Sequence, residues 1–188
     1  MAISAAMFES LHVLEVVLRN AFHDQLARLH AGRGSPGQWY ERPHTQLAAR
    51  ASEEVAKARQ RLRASGRPES AGRVVAELPF GFWRYLTATR YAEQLWRPAL
   101  RRAFRGDRPL ARPQIADRLA RLHVLRNRIA HHEPIHRREL RRDWLDLRFV
   151  AEAICPEIHR WIVATARVEA VLAARPAPRR TDPPPSGG

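Results

Sequence analysis

A single cysteine, Cys155, stands in the whole chain of 188 residues, so no intramolecular disulfide can form and no cysteine-built zinc site is expected. Lysine is as scarce. Lys57 is the only one, and the other 32 of the 33 basic residues are arginine. No window of roughly 18 residues is both apolar and uncharged, so no transmembrane helix is expected. Met1 to Ser10 has neither a basic start nor a long apolar stretch, and no secretory signal is read there. The expected location is therefore cytoplasmic, with no membrane partner. Strand-like alternation is missing at any length, and so is any internal repeat. What remains is helical periodicity, which makes the expected fold an all-α helical bundle.

Against these shortages stands one excess. Lys+Arg numbers 33 against 19 Asp+Glu, a formal net charge of +14 and a pI near 11.5. Such an imbalance favours a polyanionic partner, either nucleic acid or an anionic membrane surface. The arginine bias, beside abundant Ala, Pro and Leu, also fits a GC-rich coding sequence, so charge alone does not name the partner. Apolar residues at 45% and charged residues at 28% are ordinary for a globular protein. One domain spanning residues 1–174 is expected, burying roughly two-thirds of its unfolded surface. Arg175 to Gly188 carries five prolines and no core-forming aliphatics, and reads as a disordered Pro/Arg-rich tail.

The spacing predicts a first helix over about Ser4 to Leu29, with Phe8, Leu11, Leu18, Phe22, Leu26 and Leu29 on one buried stripe. Val13, Val16 and Val17 lie outside that stripe, so the helix is expected to be buried on more than one side. Gly32 to Gly37 ends it and opens a loop to about Pro43. A polar helix follows from about Thr45 to Ala64. Its Arg50, Lys57, Arg59, Arg61 and Arg63 read as a solvated face, or as a track for a phosphate backbone. Glu69 begins a short helix leading into Glu77-Leu78-Pro79-Phe80-Gly81-Phe82-Trp83, where Pro79 suits a helix start and the aromatics read as core. That apolar pattern continues through Tyr85, Leu86 and Leu95 until Pro98 interrupts or kinks it. Arg105 to Arg112 is a loop. Pro113 opens a helix to about His132, which Pro134 closes. Two more helices, divided at Cys155-Pro156, fill about Arg137 to Ala174.

The helix before Pro134 carries the chemistry. Ile115, Leu119, Leu122, Leu125 and Ile129 form its apolar stripe, and Arg126 projects into the middle of it. An unpaired charge buried there would cost several kcal/mol, so either a carboxylate pairs with it or that face lines a wet cleft. The first helix repeats the pattern, with Glu15 and Arg19 on its apolar face. Glu15 is a candidate partner for Arg19 or for Arg126. Histidine titrates near neutral pH, so His131 can move a proton on or off a ribose hydroxyl. Arginine offers a planar fork of donors suited to a phosphate gaining charge. Together they can cleave RNA through attack by the 2′-OH with no metal and no cofactor, a route closed to DNA. Asn127 would orient the histidine or the phosphate.

Arg126-Asn127 followed by His131 fits the R-x4-6-H motif, and the chain resembles HEPN-type ribonucleases, specifically their Abi-like (abortive infection) branch. Three blocks in order carry the resemblance over residues 5 to 170. They are Leu14-Glu15-Val16-Val17-Leu18-Arg19-Asn20, the Glu77 to Trp83 segment, and Leu125-Arg126-Asn127-Arg128-Ile129-Ala130-His131-His132-Glu133-Pro134-Ile135. The resemblance implies a HEPN-like bundle that dimerises about a two-fold axis, bringing two Arg–His pairs into one cleft. It also implies metal-independent RNA cleavage in a toxin or phage-defence role, with an antitoxin or other regulator as a possible partner. In toxins silenced by a nucleotidyltransferase antitoxin, a tyrosine follows two residues after the histidine. Glu133 stands there in this chain, which argues against that mode of silencing.

Other readings remain beside this one. His132 and His136 have an i, i+4 spacing that could hold a metal with His131 and Glu133, but Pro134 breaks the helix such a site needs. His132 reads instead as a supporting group or a helix-end residue beside the carbonyl dipole. His12, His23, His30, His44, His123 and His159 read as scattered surface or satisfied histidines. Five residues on a straight helix turn through roughly 140° beyond a full circle, so His131 should point away from Arg126 unless the last turn loosens or a partner chain completes the site. A basic module that binds nucleic acid without cutting it, or a helical adaptor in which Arg126 serves packing alone, would share the same surface.

Overall fold

The helical pattern becomes eight α-helices in a computed structural model that describes residues 2–34, 36–41, 47–105 and 110–174. The proline-rich tail expected at 175–188, together with His44 and Thr45, lies outside the described residues. The described residues contain no strand, and the fold is all-α. Among the described residues no helix is long and apolar enough to cross a membrane.

Helix α1 (Ala2–Ala31) is the hub, touching α3, α4, α5, α6 and α8 as well as the 3-10 turn Leu100–Ala103. Met7, Leu11, Leu14, Leu18, Phe22 and Leu26 are each at most 2% exposed, while Val13 and Val17 pack half-buried beside them. Burial on more than one side therefore holds. Phe8 does not join the stripe and is 40% exposed, and Leu29 is only half-buried. The physical reason is drift. From Met7 to Leu26 the buried positions advance mostly by fours, so the buried line rotates by about 100° around a 3.6-residue helix and leaves Phe8 off its N-terminal end.

Helix α2 (Ala49–Ala64) packs through Ala51, Val55, Ala58 and Leu62. Its outward basic face is largely matched by carboxylates. Lys57 meets Glu54, Arg59 meets Glu41 and Glu69, and Arg61 meets Glu77. Glu77 is also held by Arg67, and these guanidinium contacts keep its carboxyl below the usual range. Ser70 caps α3 (Ala71–Glu77) by accepting the Arg73 N–H, and Pro79 caps α4 (Phe80–Tyr85). The aromatic block is core as expected. Phe80, Phe82 and Trp83 are at most 3% exposed, with Phe82 and Trp83 packed edge-to-face.

No continuous helix runs on to Pro98. The chain leaves α4 at Leu86, and Ala88 turns extended. Thr87 Oγ1 donates to the Arg84 carbonyl at 2.7 Å, and Arg112 reaches across to the Thr87 carbonyl at 2.8 Å. These bonds satisfy locally what a further helical turn would have used. A 3-10 turn Thr89–Tyr91, a π turn Ala92–Trp96 and the 3-10 turn Leu100–Ala103 follow.

Helix α5 (Arg112–Ala130) then forms a hairpin with α6 (Leu140–Ile154). One arginine–aspartate fork joins the two helices, and a second ties the segment between them to α6. Arg121 grips Asp146 at 2.6 and 3.0 Å, and Arg138 grips Asp143 at 2.9 and 2.8 Å. Helix α7 (Pro156–Thr165) starts at Pro156 as the sequence indicates, but a further break at the extended Ala166 creates α8 (Val168–Ala173).

Candidate functional site

On α5, Ile115, Leu119, Leu122 and Leu125 are fully buried against the core. Arg126 follows directly and is one-third exposed, with its Nε 3.7 Å from a Glu15 carboxylate oxygen of α1. Both of the possibilities for this arginine are realised. A carboxylate faces it, and the same residue lines a cleft. Its contact with Glu15 is long for a charge-assisted bond, and among the described residues its terminal Nη atoms donate no hydrogen bond. Arg19 goes elsewhere. It donates to the Ala76 carbonyl at 3.4 Å, while its Nε is buried without a partner among the described residues.

His131 and His132 sit where α5 ends. The His131 N–H still bonds the Asn127 carbonyl at 2.9 Å. His132 has a φ of +57°, and its N–H and that of Glu133 close back onto Ile129 and Arg128 at 3.1 and 2.8 Å. This is a Schellman ending with histidine in the left-handed position usually given to glycine. Pro134 then prevents continuation. The loosening thus begins at His131, which has left the helical dihedrals (φ −95°, ψ 13°) while its N–H still makes the helical bond. His131 lies on a different side of α5 from Arg126, exposed, and its ring has no hydrogen-bond partner among the described residues.

The structure gathers other groups around Arg126. A cleft of about 230 Å³ opens between α2, α4 and α5, bordered by Arg50, Tyr85, Phe80, His123, Arg126 and Asn127. Neither His131 nor His132 lines it. Asn127 makes its side-chain hydrogen bond with His123, its Nδ2 lying 3.2 Å from His123 Nε2, so it orients a histidine but not the expected one. Gly81 makes this packing possible. A Cβ at that position would lie 2.9 Å from His123 Nε2. Burial pulls the His123 pKa below the ordinary 6.5, and Arg84, Arg126 and Arg50 push in the same direction. The imidazole is therefore neutral at physiological pH.

No family model, curated protein or solved structure matches this chain.

His123 is the functional candidate that the sequence pattern alone does not single out. Positions 123, 126 and 127 share one face of α5, three and four residues apart, and that spacing is the one signal pointing to it. The contact with Gly81, far away in sequence, leaves no such signal. His23 and His30 do behave as satisfied histidines. Trp39 donates to His23 Nδ1 at 2.9 Å, and His30 Nε2 lies 3.1 Å from the Gly37 carbonyl. Among the described residues no three His, Cys, Asp or Glu side chains gather closely enough to hold a metal ion.

Proposed function

We propose that this protein is a HEPN-type endoribonuclease of the Abi-like branch, cutting RNA without a metal in a toxin or phage-defence role in the cytoplasm. The observation that carries the reading is Arg126, a guanidinium fixed by one loose carboxylate contact at the edge of a cleft, with its remaining donors unspent. In this reaction the ribose 2′-oxygen gives up its proton and attacks the adjacent phosphorus. The bond from phosphorus to the 5′-oxygen breaks, and that oxygen takes up a proton, leaving a 2′,3′-cyclic phosphate and a 5′-hydroxyl. Arg126 stabilises the charge gathering on the phosphoryl oxygens. His131 is exposed, and its imidazole exchanges the protons. Asn127 and Glu15 hold Arg126's surroundings in place.

Because Arg126 and His131 lie on different sides of α5, the working site combines Arg126 of one copy with His131 of a second across a two-fold axis. An antitoxin or other regulator would act by covering that joint cleft, and Glu133 directs the search away from nucleotidyltransferase-type silencing.

The test is cleavage of mixed cellular RNA by the purified protein in EDTA, beside folded Arg126→Ala and His131→Ala proteins. The reading requires cutting by the wild type and a loss of about two orders of magnitude or more in each variant. RNA binding without cutting, in EDTA or with added metal, replaces it with a non-catalytic nucleic-acid module. That second reading has one observation in its favour, the separation of Arg126 from His131 within a single chain.

A further inference from the structure

The cleft between α2, α4 and α5 contains more chemistry than one phosphate contact needs. Three groups meet there from two helices. Arg50 of α2 lies over the Tyr85 ring at 5.4 Å and has no carboxylate partner among the described residues. Arg126 and the hydrogen-bonded pair Asn127–His123 come from α5. At about 230 Å³ the space is smaller than the roughly 300 Å³ at which drug-sized pockets begin. It fits a single sugar-phosphate unit.

We infer that this cleft is a subsite for one ribonucleotide, with Arg50 and Arg126 on the phosphate and His123 on the ribose 2′-hydroxyl. The inference deepens the ribonuclease reading by naming what occupies the cleft beside Arg126. Two arginines without bidentate carboxylate partners are matched to a phosphate. The histidine adds selectivity. One of its nitrogens is engaged with Asn127, and Nδ1 has no partner among the described residues. If Nε2 accepts from Asn127, Nδ1 carries the proton and donates. If Asn127 presents its oxygen, Nδ1 accepts. A 2′-hydroxyl both donates and accepts, so it is satisfied by either tautomer, whereas a deoxyribose leaves Nδ1 unmet. The charged groups facing the ring are Arg84 from α4, Arg126 from α5 and Arg50 from α2, and Glu54 of α2 lines the same cleft. Burial first, and these three cations in the same direction, disfavour the charged ring, and three cations against one carboxylate favour a phosphate.

The decisive experiment uses ligands that have no bond to cut. Wild-type protein is titrated with adenosine 3′-monophosphate, 2′-deoxyadenosine 3′-monophosphate and inorganic phosphate, by calorimetry and by NMR of the histidine ring protons. The ribonucleotide is expected to bind about 3- to 10-fold tighter than the deoxy form, the scale of one hydrogen bond, and to shift the His123 signals. His123→Ala should erase that preference while leaving deoxy binding in place, and Arg50→Ala should weaken both nucleotides. Gly81→Ala removes no polar group but crowds His123 Nε2, and should lower the preference in a protein whose circular dichroism is unchanged. Equal binding of the two nucleotides, a preference that survives in folded His123→Ala, or no nucleotide binding at all would overturn the inference. A ribose preference in a protein that cuts no RNA sinks the ribonuclease reading and keeps the subsite. Cleavage that depends on Arg126 and His131 with no ribose preference does the reverse.

Discussion

Helix α5 treats its arginines in two different ways. In its first half Arg121 forms a fork on Asp146, and Arg118 approaches the same carboxylate at 3.4 Å while lying over the Phe149 ring at 4.0 Å. Asp146 and Asp143 are almost fully buried, and each meets at least one guanidinium at full hydrogen-bond length. In its second half Arg126 has one carboxylate at 3.7 Å and a cleft. The first half is closed chemistry, with its carboxylates answered. The second leaves donors unspent. A guanidinium saturated by carboxylate has little to offer an anionic ligand, so along α5 it is the second half that would have donors for one.

The contrast breaks most visibly at Asp146. Asp146→Ala leaves Arg121 and Arg118 facing each other without their shared anion. Removing one partner of a buried pair costs about 3–5 kcal/mol. With these arginines about a third exposed, the expectation falls to roughly 2–4 kcal/mol, read as a large drop in the midpoint of urea unfolding. A change under about 1 kcal/mol would show the first half to be as loosely tied as the second. Arg126→Ala should behave the opposite way. It should lose about 100-fold in RNA cleavage, equivalent to about 2.7 kcal/mol, with unfolding stability altered by less than about 1 kcal/mol. Equal losses of stability from both substitutions would erase the distinction.

Acid gives the next test. Both His123 and His23 have pKa values lowered from 6.5, each mainly by burial. An unfolded histidine then binds protons that the folded one refuses, so stability rises with pH in this window. The contribution is present in full above pH 6.5 and is lost as the pH falls through 6.5 toward the lower folded values. Thermal unfolding between about pH 7.5 and 5.5 should show this decline, and His123→Gln should flatten part of it, with His23 supplying the remainder. An unchanged slope would mean that the second half of α5 holds no suppressed titration. The smallest effect belongs to His132. With φ at +57°, His132→Gly relieves a left-handed conformation and should stabilise the fold by about 0.5–1 kcal/mol. A loss of stability there would mean that the side chain makes contacts outweighing the backbone strain.

Much of this arrangement is legible in the amino-acid sequence. Pro79, Pro134 and Pro156 each punctuate where expected, because a missing N–H and a fixed φ act locally. The aromatic block Phe80 to Trp83 is core because large rings on one face have nowhere else to go. Arg126 stands out as a charge inside an apolar stripe, and the apolar face of α1 offers Glu15 as a partner. Other features are hidden because they depend on tertiary contacts or on small angular drift. The exposure of Phe8 follows from rotation of the buried line over a helix of 30 residues. The break after Tyr85 depends on Arg112 reaching the Thr87 carbonyl. His123 is indistinguishable from a satisfied histidine until Gly81 and Asn127 come against it. His132 adopts the glycine conformation without being glycine, so the residue that usually announces such an ending is missing.

The segment joining α5 to α6 is tied at both ends. The Schellman bonds close it at Glu133, Ile135 is only 3% exposed, and Arg138 is locked onto Asp143 in the first turn of α6. Ordering a residue's backbone costs about 1–2 kcal/mol in entropy, and here folding itself has already met that cost for the stretch beyond His131. A ligand arriving at His131 therefore has only a side-chain rotor to still, and its binding enthalpy is not spent on organising a loop.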